Sequence, residues 1–320
     1  MRQYIIRRLL QMIPTLIGIS IVVFAITALV PGDYITARNN PNMTVEKAEE
    51  LRRLYGLDKP DIQRYFIWAG NMLQGKFGDS LQHKKPVLEV INTYVWNSFI
   101  IAFCSLVLSW FFAIIAGVFS AKFQYSLLDK LITLFVFVCM SLPSFFIGLL
   151  VIKIFALTLN WFPVGGMTTG GLNATGWAYV KDVAYHGFLP ILVLTMLSTG
   201  SLTRYFRTSM LEVIRQDYIR TARAKGLKER TVIFKHALRN AMIPAITLLG
   251  FELPALFGGA IILEHIFIWP GIGQVYLGSI SMRDYPFMLG FTIILAALTL
   301  LGNMLSDVLY GVADPRIRLK

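Results

Sequence analysis

The segment Gly70-Asn71-Met72-Leu73-Gln74-Gly75-Lys76-Phe77 comes within one residue of a nucleotide-binding loop. Such a loop wraps phosphates in backbone N–H groups and a lysine, and its closing Ser or Thr holds magnesium. Phe77 stands where that hydroxyl is required, and the segment follows a helical pattern instead of a strand, so nucleotide chemistry is excluded here. The four histidines, His83, His186, His236 and His265, are scattered without the paired spacing of a metal site and read as interfacial or hydrogen-bonded side chains. Cys104 and Cys139 lie in apolar runs and read as small hydrophobes, neither a disulfide nor a metal site. No nucleophile sits beside a base. What remains with chemical reach is charge: a cationic stretch from Arg204 to Arg239, and Glu252 inside an apolar run.

The elements that position these groups are set by solvent. Of 320 residues, 56% are hydrophobic and 15% charged, and mean hydropathy is positive. A water-soluble surface is incompatible with that balance, so the chain is read as all-α and embedded in a bilayer. Crossing about 30 Å of hydrocarbon takes about 20 apolar residues in a helix. Six runs meet this requirement: Leu9 to Val30, Trp96 to Ser120, Leu131 to Leu157, Phe188 to Tyr205, Ala241 to Leu263 and Phe287 to Tyr310. The first is too long for a signal-peptide core, and Pro31-Gly32-Asp33 is no cleavage site, so it is read as a retained span. The fourth is diluted by Ser198, Thr199, Gly200, Ser201 and Thr203, which requires close neighbours that accept its hydroxyls.

The net charge of +12 belongs to the membrane and not to nucleic acid, because its distribution follows the spans. Arg204 to Arg239 carries ten basic residues against Glu212, Asp217 and Glu229, while Asn160 to Gly187 has only Lys181. The cationic segment is therefore assigned to the cytoplasm, with both termini (Arg2, Arg7 and Arg8; Arg316, Arg318 and Lys320) on the same side. Residues 1–30 then form the N-terminal tip and first span, and 31–95 a small extracytoplasmic domain of short helices. Residues 96–310 form a five-span core with a cytoplasmic coupling segment at 206–238, and 311–320 a cytoplasmic tail. Within the outer domain, Ile62, Tyr65, Phe66, Ala69, Met72 and Leu73 recur at helical spacing behind Pro60 and are expected to form its core face. Asn160 to Gly187, rich in Gly and Thr, reads as a loop.

Within the cationic segment, Asp217 is placed to cap a short helix whose small residues Ala222 and Ala224 permit close approach, and Gly226 to end it in a left-handed turn. A second amphipathic piece follows through Val232, Ile233 and Phe234. Spacing leaves two readings open: a basic helix resting on anionic lipid, or a docking element.

This stretch resembles the cytoplasmic EAA loop of ATP-binding-cassette importer permeases, in the version found in the dipeptide and oligopeptide family. The pattern Glu-Ala-Ala, three residues, Gly, nine residues, Ile-x-Leu-Pro stands here as Arg220-Thr221-Ala222, Gly226 and His236-Ala237-Leu238-Arg239, without the acidic start or the closing proline. Further resemblances follow in order: Arg7-Arg8-Leu9-Leu10, Ile13-Pro14-Thr15, Tyr55-Gly56-Leu57-Asp58, Gly78-Asp79-Ser80 and Trp161-Phe162-Pro163-Val164-Gly165-Gly166. Glu264-His265-Ile266-Phe267 through Pro270-Gly271-Ile272-Gly273, Arg283-Asp284-Tyr285-Pro286 and Asp314-Pro315-Arg316 complete them.

The resemblance implies a type I importer permease of a bacterial-type inner membrane, without cofactor or catalytic site. It implies pairing with a second homologous permease, two cytoplasmic ATPases and an external substrate-binding protein, and a peptide cargo. It also implies an ATPase-coupling set of Arg220, Thr221, Ala222, Arg223, Ala224, Lys225, Gly226 and Leu227, with Ala237 and Leu238. Glu252 is read either as a cavity group meeting a peptide's amino terminus or lining the gate, or as half of a pair with the sister subunit. Pro254, Gly258 and Gly259, with Pro143 and Pro244, either soften helices at a gate or allow close packing. Lys153, Arg204 and Asp307 lie near span ends and read as anchors. Two other classes compete: an ion-driven secondary transporter, against which the missing internal duplication counts, and a non-conducting membrane scaffold.

Overall fold

The computed structural model describes residues 2–37, 44–54, 56–172 and 174–313. Tyr55, the Asp314-Pro315-Arg316 motif and the terminal cations Arg316, Arg318 and Lys320 lie outside the described residues.

The described chain is helical, with α1 (Arg2–Leu29), α2 (Tyr34–Ala37), α3 (Val45–Leu54), α4 (Asp61–Leu73), α5 (Val87–Lys122), α6 (Leu127–Ser141) and α7 (Ser144–Val151), which continues as a π-helix, Ile152–Thr158. Then come α8 (Gly176–Ile214), α9 (Asp217–Ala224), α10 (Glu229–Thr231) with a π-helical extension Val232–Ala237, α11 (Leu238–Gly258), α12 (Ile261–Ile266), α13 (Ile272–Met282) and α14 (Tyr285–Ala313). Five helices are long and apolar enough to cross a membrane, and α6 with α7 makes a sixth crossing only as a pair bent by 106°.

That bend corrects the expectation of one continuous third span. Pro143 fixes an extended backbone between the halves and opens α7 without supplying an N–H. Gly148 brings α7 against Leu263, and Gly200 brings α8 within 3.0 Å of Cys139 Cβ, measured from the position a Cβ would take. α8 thus packs on both halves, meeting α7 through Leu189 and Val193, while α12 packs on α7.

The fourth span is also corrected: α8 starts twelve residues before Phe188 and runs on to Ile214, 39 residues in all. Asp182, read as loop, is buried on its first turns and accepts hydrogen bonds from Thr169 N (2.8 Å) and Thr169 Oγ1 (2.8 Å). His186 bonds the Asp182 carbonyl at 2.9 Å, as a structural histidine would. Close packing of α8 holds as expected: at Gly117 of α5 an added Cβ would come within 2.6 Å of Phe206 Cβ. Trp110, Ala113, Leu202, Phe206 and Ala245 form the core there. Acceptance of its hydroxyls does not hold throughout, since Thr195, Thr199 and Thr203 bury their Oγ1 atoms without a partner among the described residues.

In the outer segment, α4 packs Tyr65 and Trp68 against Phe24 of α1, with ring centroids at 5.4 and 6.1 Å. Ile62, Phe66 and Leu73 instead face outward, so the expected core face is only partly turned inward. Arg52 bonds Asp33 at 2.6 Å and Tyr285 donates to the Gly32 carbonyl at 2.9 Å, tying this segment to α14. Asp33 is held below the usual carboxylate range: burial opposes this, and the Arg52 and Thr36 hydrogen bonds outweigh it.

Candidate functional site

The cationic segment folds as a two-sided ledge. On its inner side Ile219 is 0% exposed and Ala222 is buried. They join Val118 and Ala121 of α5, Met210 of α8, Val232, Ile233 and Ala237 of the π-helix, and Ala241 of α11 in one apolar cluster. Burying a large aliphatic side chain stabilises by about 1.5–3 kcal/mol, so α9 is held by its packing and not by its eight-residue length. Its packing thus joins α9 to three long helices, α5, α8 and α11.

On the outer side Arg220, Thr221, Arg223, Ala224, Lys225, Gly226 and Leu227 are all exposed. Gly226 has φ +75°, the left-handed value expected of it. Leu227 N bonds Ala222 O (3.4 Å) and Gly226 N bonds Arg223 O (2.9 Å), the paired closing bonds of a Schellman turn. Arg223 then grips Glu229 with two bonds, of 3.1 and 2.8 Å, bracing α9 against α10. The Arg223 hydrogen bond holds the Glu229 carboxyl below its usual range despite some burial.

Three sequence-level details change. Asp217 is the first helical residue and Gln216 occupies the cap, so Asp217 contributes only through the helix dipole and an exposed bond to Arg220. Ala222 faces the chain's own core, leaving Ala224 as the small residue on the free face. Ala237 is buried and Leu238 half-buried at the root of α11, beneath the ledge and not on it.

Above the ledge lies a buried clamp. Arg207 of α8 gives Nε to Asp129 Oδ1 (3.0 Å) and to Ser120 Oγ (2.9 Å), and Nη2 to Asp129 Oδ2 (3.0 Å). Ser120 also donates to Asp129, and Tyr125 N closes the site at 2.9 Å. The α5–α6 corner is thereby fastened to α8 immediately beside the apolar cluster. Arg207, counted as one of the cations of the loop, is in fact neutralised. The available signal was Ser126-Leu127-Leu128-Asp129, a helix-opening pattern in which Ser126 Oγ accepts from Asp129 N at 3.2 Å.

The candidate path residues do not gather into one site. Glu252 is half-buried, with no hydrogen bond or ion pair to another described residue. Pro254 is buried against Gly302 of α14, within 2.9 Å of where a Cβ there would lie. Gly258 closes α11, and Gly259, at φ +73°, lets Gly273 approach within 2.7 Å of its own missing Cβ. Of the anchors, Asp307 pairs with Arg8 at 2.8 Å.

What gathers instead is Glu264, 0% exposed. It accepts from Ser98 Oγ (2.6 Å), Ala260 N (3.0 Å) and Gln274 N (3.1 Å). Ser98 in turn accepts from Ile272 N at 2.8 Å, so one carboxylate closes the α12–α13 hairpin onto α5. Asp284, equally buried, accepts from Ser80 Oγ (2.5 Å), Leu81 N (3.1 Å) and Gln82 N (3.1 Å), pinning the segment before α5 to the start of α14.

Residues 113–319 match the family model described as the inner membrane component of binding-protein-dependent transport systems, and residues 1–101 match the model of its N-terminal part. The chain belongs to this family. The resemblance read from the sequence is confirmed at full length by other permeases. This inner membrane component is 43% identical over 318 residues to the oligopeptide transport system permease protein AppB of Bacillus subtilis, covering 99% of each chain. It is 37% identical to the di/tripeptide transport system permease protein DppB of Pseudomonas aeruginosa, with 99% of each covered. It is 34% identical to the glutathione transport system permease protein GsiC of Escherichia coli K12, with 100% of each covered. Among solved structures it shares the fold of a chain of the MetNI methionine ABC transporter, with a TM-score of 0.56 at 16% identity, covering 71% of this chain and 97% of the other. The permease is thus an all-α, multi-pass membrane protein of type I importer fold.

Proposed function

We propose that this permease forms half of the translocation path of an ATP-driven importer of peptides, and that α9 with its Gly226 turn is the element through which partner ATPases drive it. The observation that carries this reading is the two-sidedness of the ledge: one face of α9 is sunk in the core of the helix bundle while the other is exposed and cationic. A rigid helix transmits displacement where a loop would absorb it, so closure of the ATPases on nucleotide biases the spans between inward-open and outward-open arrangements. Hydrolysis belongs to those partners and the permease itself is not an enzyme. The relatives' names, which specify oligopeptides, di/tripeptides and glutathione, support a peptide-like cargo.

The full assembly contains a second homologous permease, two ATPases and an external substrate-binding protein. Arg204 to Arg239 and both termini face the cytoplasm, and residues 31–95 the outside. Glu252, with no hydrogen bond or ion pair to another described residue, is assigned the role of meeting cargo or the sister subunit. A Glu252→Gln variant with unchanged transport and stability removes it from both roles.

The decisive experiment is disulfide or bifunctional cross-linking from Lys225→Cys in the assembled transporter, with mild-detergent purification alongside. The expected result is a cross-link to an ATPase chain that changes in yield with nucleotide. Labelling of Lys225→Cys from outside intact cells overturns the orientation. Uptake driven by an ion gradient without ATP, or purification with no ATPase, overturns the function in favour of a secondary carrier or a scaffold.

A further inference from the structure

A cavity of about 380 Å³ opens where the outer segment meets α1 and α14, and nothing in the transport reading uses it. Its floor is apolar: Phe24 near the end of α1, and Leu289 and Tyr285 on the first turns of α14. Its rim carries Arg53, Lys59, Arg64 and Lys76, and no carboxylate lines it. Arg64 is already engaged, bonded to Asp61 at 3.0 Å and lying 5.9 Å from the centroid of the Tyr285 ring. Arg53, Lys59 and Lys76 have no acidic partner among the described residues, and Lys76 reaches only Gln74, at 3.2 Å. Trp68 lines the wall, with its indole N–H sealed from the open space.

The layering specifies the ligand. The charged side chains lining it are all cations, beside the neutral amide of Asn71, so the occupant presents anionic oxygen. The floor is built from the ends of two membrane-crossing helices, so the occupant's other end is hydrocarbon, and the cavity sits at headgroup depth, where Trp, Tyr, Lys and Arg side chains meet the interface. We propose that this cavity binds an anionic phospholipid, its phosphate at Arg53, Lys59 and Lys76, and an acyl chain along Trp68, Phe24 and Leu289. An acidic protein segment would satisfy the rim but has no use for an apolar floor at that depth. The near-miss phosphate loop around Lys76 thus contributes a cation to a lipid phosphate and not to a nucleotide.

The test uses the full chain in nanodiscs containing brominated phosphatidylglycerol or brominated phosphatidylcholine. The Trp68 signal is taken as the difference between the chain and its Trp68→Phe variant. Brominated phosphatidylglycerol at a tenth of the lipid is expected to quench the Trp68 component several-fold beyond its abundance, and phosphatidylcholine only in proportion. Each cation facing an anionic group is worth about a fivefold change in binding. The triple variant Arg53→Gln, Lys59→Gln, Lys76→Gln should therefore fall to the phosphatidylcholine level, while the charge-keeping triple Arg53→Lys, Lys59→Arg, Lys76→Arg retains enrichment and reports intact folding. Equal quenching by both lipids overturns the proposal. So does displacement by excess glycerol phosphate, which would mark a site for a free anion, or by polyglutamate, which would mark a protein-docking surface.

Discussion

Replacing Gly226 isolates backbone conformation from every other variable at the end of α9. The residue sits at φ +75°, and a Cβ added there meets nothing within 4 Å, so no side chain need clash or repack. The penalty is intrinsic: an L-residue in the left-handed region costs about 1–2 kcal/mol, least for Asn, which adopts it most readily, and most for a β-branched residue. At 1.36 kcal/mol per factor of ten, the native turn loses about fivefold to thirtyfold against alternatives that redirect the chain after Arg223. Those alternatives forfeit the bonds from Gly226 N to Arg223 O and from Leu227 N to Ala222 O, and with them the alignment of Arg223 on Glu229. The spans are untouched, so membrane insertion should be normal. In vesicles reconstituted with the complete transporter, cargo uptake per ATP hydrolysed should fall in the order Gly, Asn, Ala, Val at position 226. Undiminished coupling in Gly226→Val refutes the reasoning, and so does an Asn variant as damaged as Val, since the fault would then lie in surface bulk.

Asp129→Asn strips the charge partner from Arg207; with Arg207 partly exposed, the expected loss is about 1–3 kcal/mol, read as a lower thermal unfolding midpoint and faster proteolysis at the α5–α6 corner. Arg207→Lys, which keeps charge but loses the two-pronged bond, should fall between, and wild-type behaviour from both variants would show the clamp is idle. Glu264→Gln places an amide donor opposite either Gln274 N or the Ser98 and Ala260 donors, at about 1–3 kcal/mol, and an unchanged unfolding midpoint would discount the network. The Arg223–Glu229 brace depends on pH through a depressed carboxyl: its contribution is complete above the ordinary glutamate value of 4.5 and is lost as pH falls through the lower folded value. Both side chains are well exposed, so the effect is small and weakened by salt. Amide exchange at Lys225 to Thr231 should accelerate at low pH in the native chain and be pH-independent, beyond intrinsic exchange, in Glu229→Gln.

Hydropathy located the long apolar helices because lipid demands apolar side chains whatever their partners, and the clustering of Lys and Arg marked the segment that folds as the ledge. It could not find helix ends. The first turns of α5, with Glu89, Asn92 and Thr93, and of α8, with Lys181 and Asp182, are polar yet helical, so their signal lies in backbone bonding and not in transfer energy. Pro143 was marked as a point where a helix could soften, but the size of the bend was not legible, since apolar residues run on through both halves. Gly226 was legible because one residue's φ decides a turn. Glu264, Asp284 and Asp129 stood in quoted motifs or beside spans, but their meaning rests on Ser98, Ser80 and Arg207, far away in sequence, and no local pattern encodes such a pairing.

The 106° bend between α6 and α7 also bears on how the protein is made. The 15 residues of α6 give about 22 Å of helix, short of a hydrocarbon layer of about 30 Å, and the segment after Pro143 is no longer. A ribosome-bound insertion channel therefore receives one continuous oily stretch. Lipid offers the backbone no hydrogen bonds, yet the corner satisfies itself: Leu142 N bonds Val138 O at 3.3 Å, and the Pro143 carbonyl accepts from Phe146 N (3.0 Å) and Ile147 N (3.2 Å). The Leu142 N–H and the Pro143 carbonyl thus need no later helix to satisfy them, so the bent segment can enter lipid before α8 has emerged.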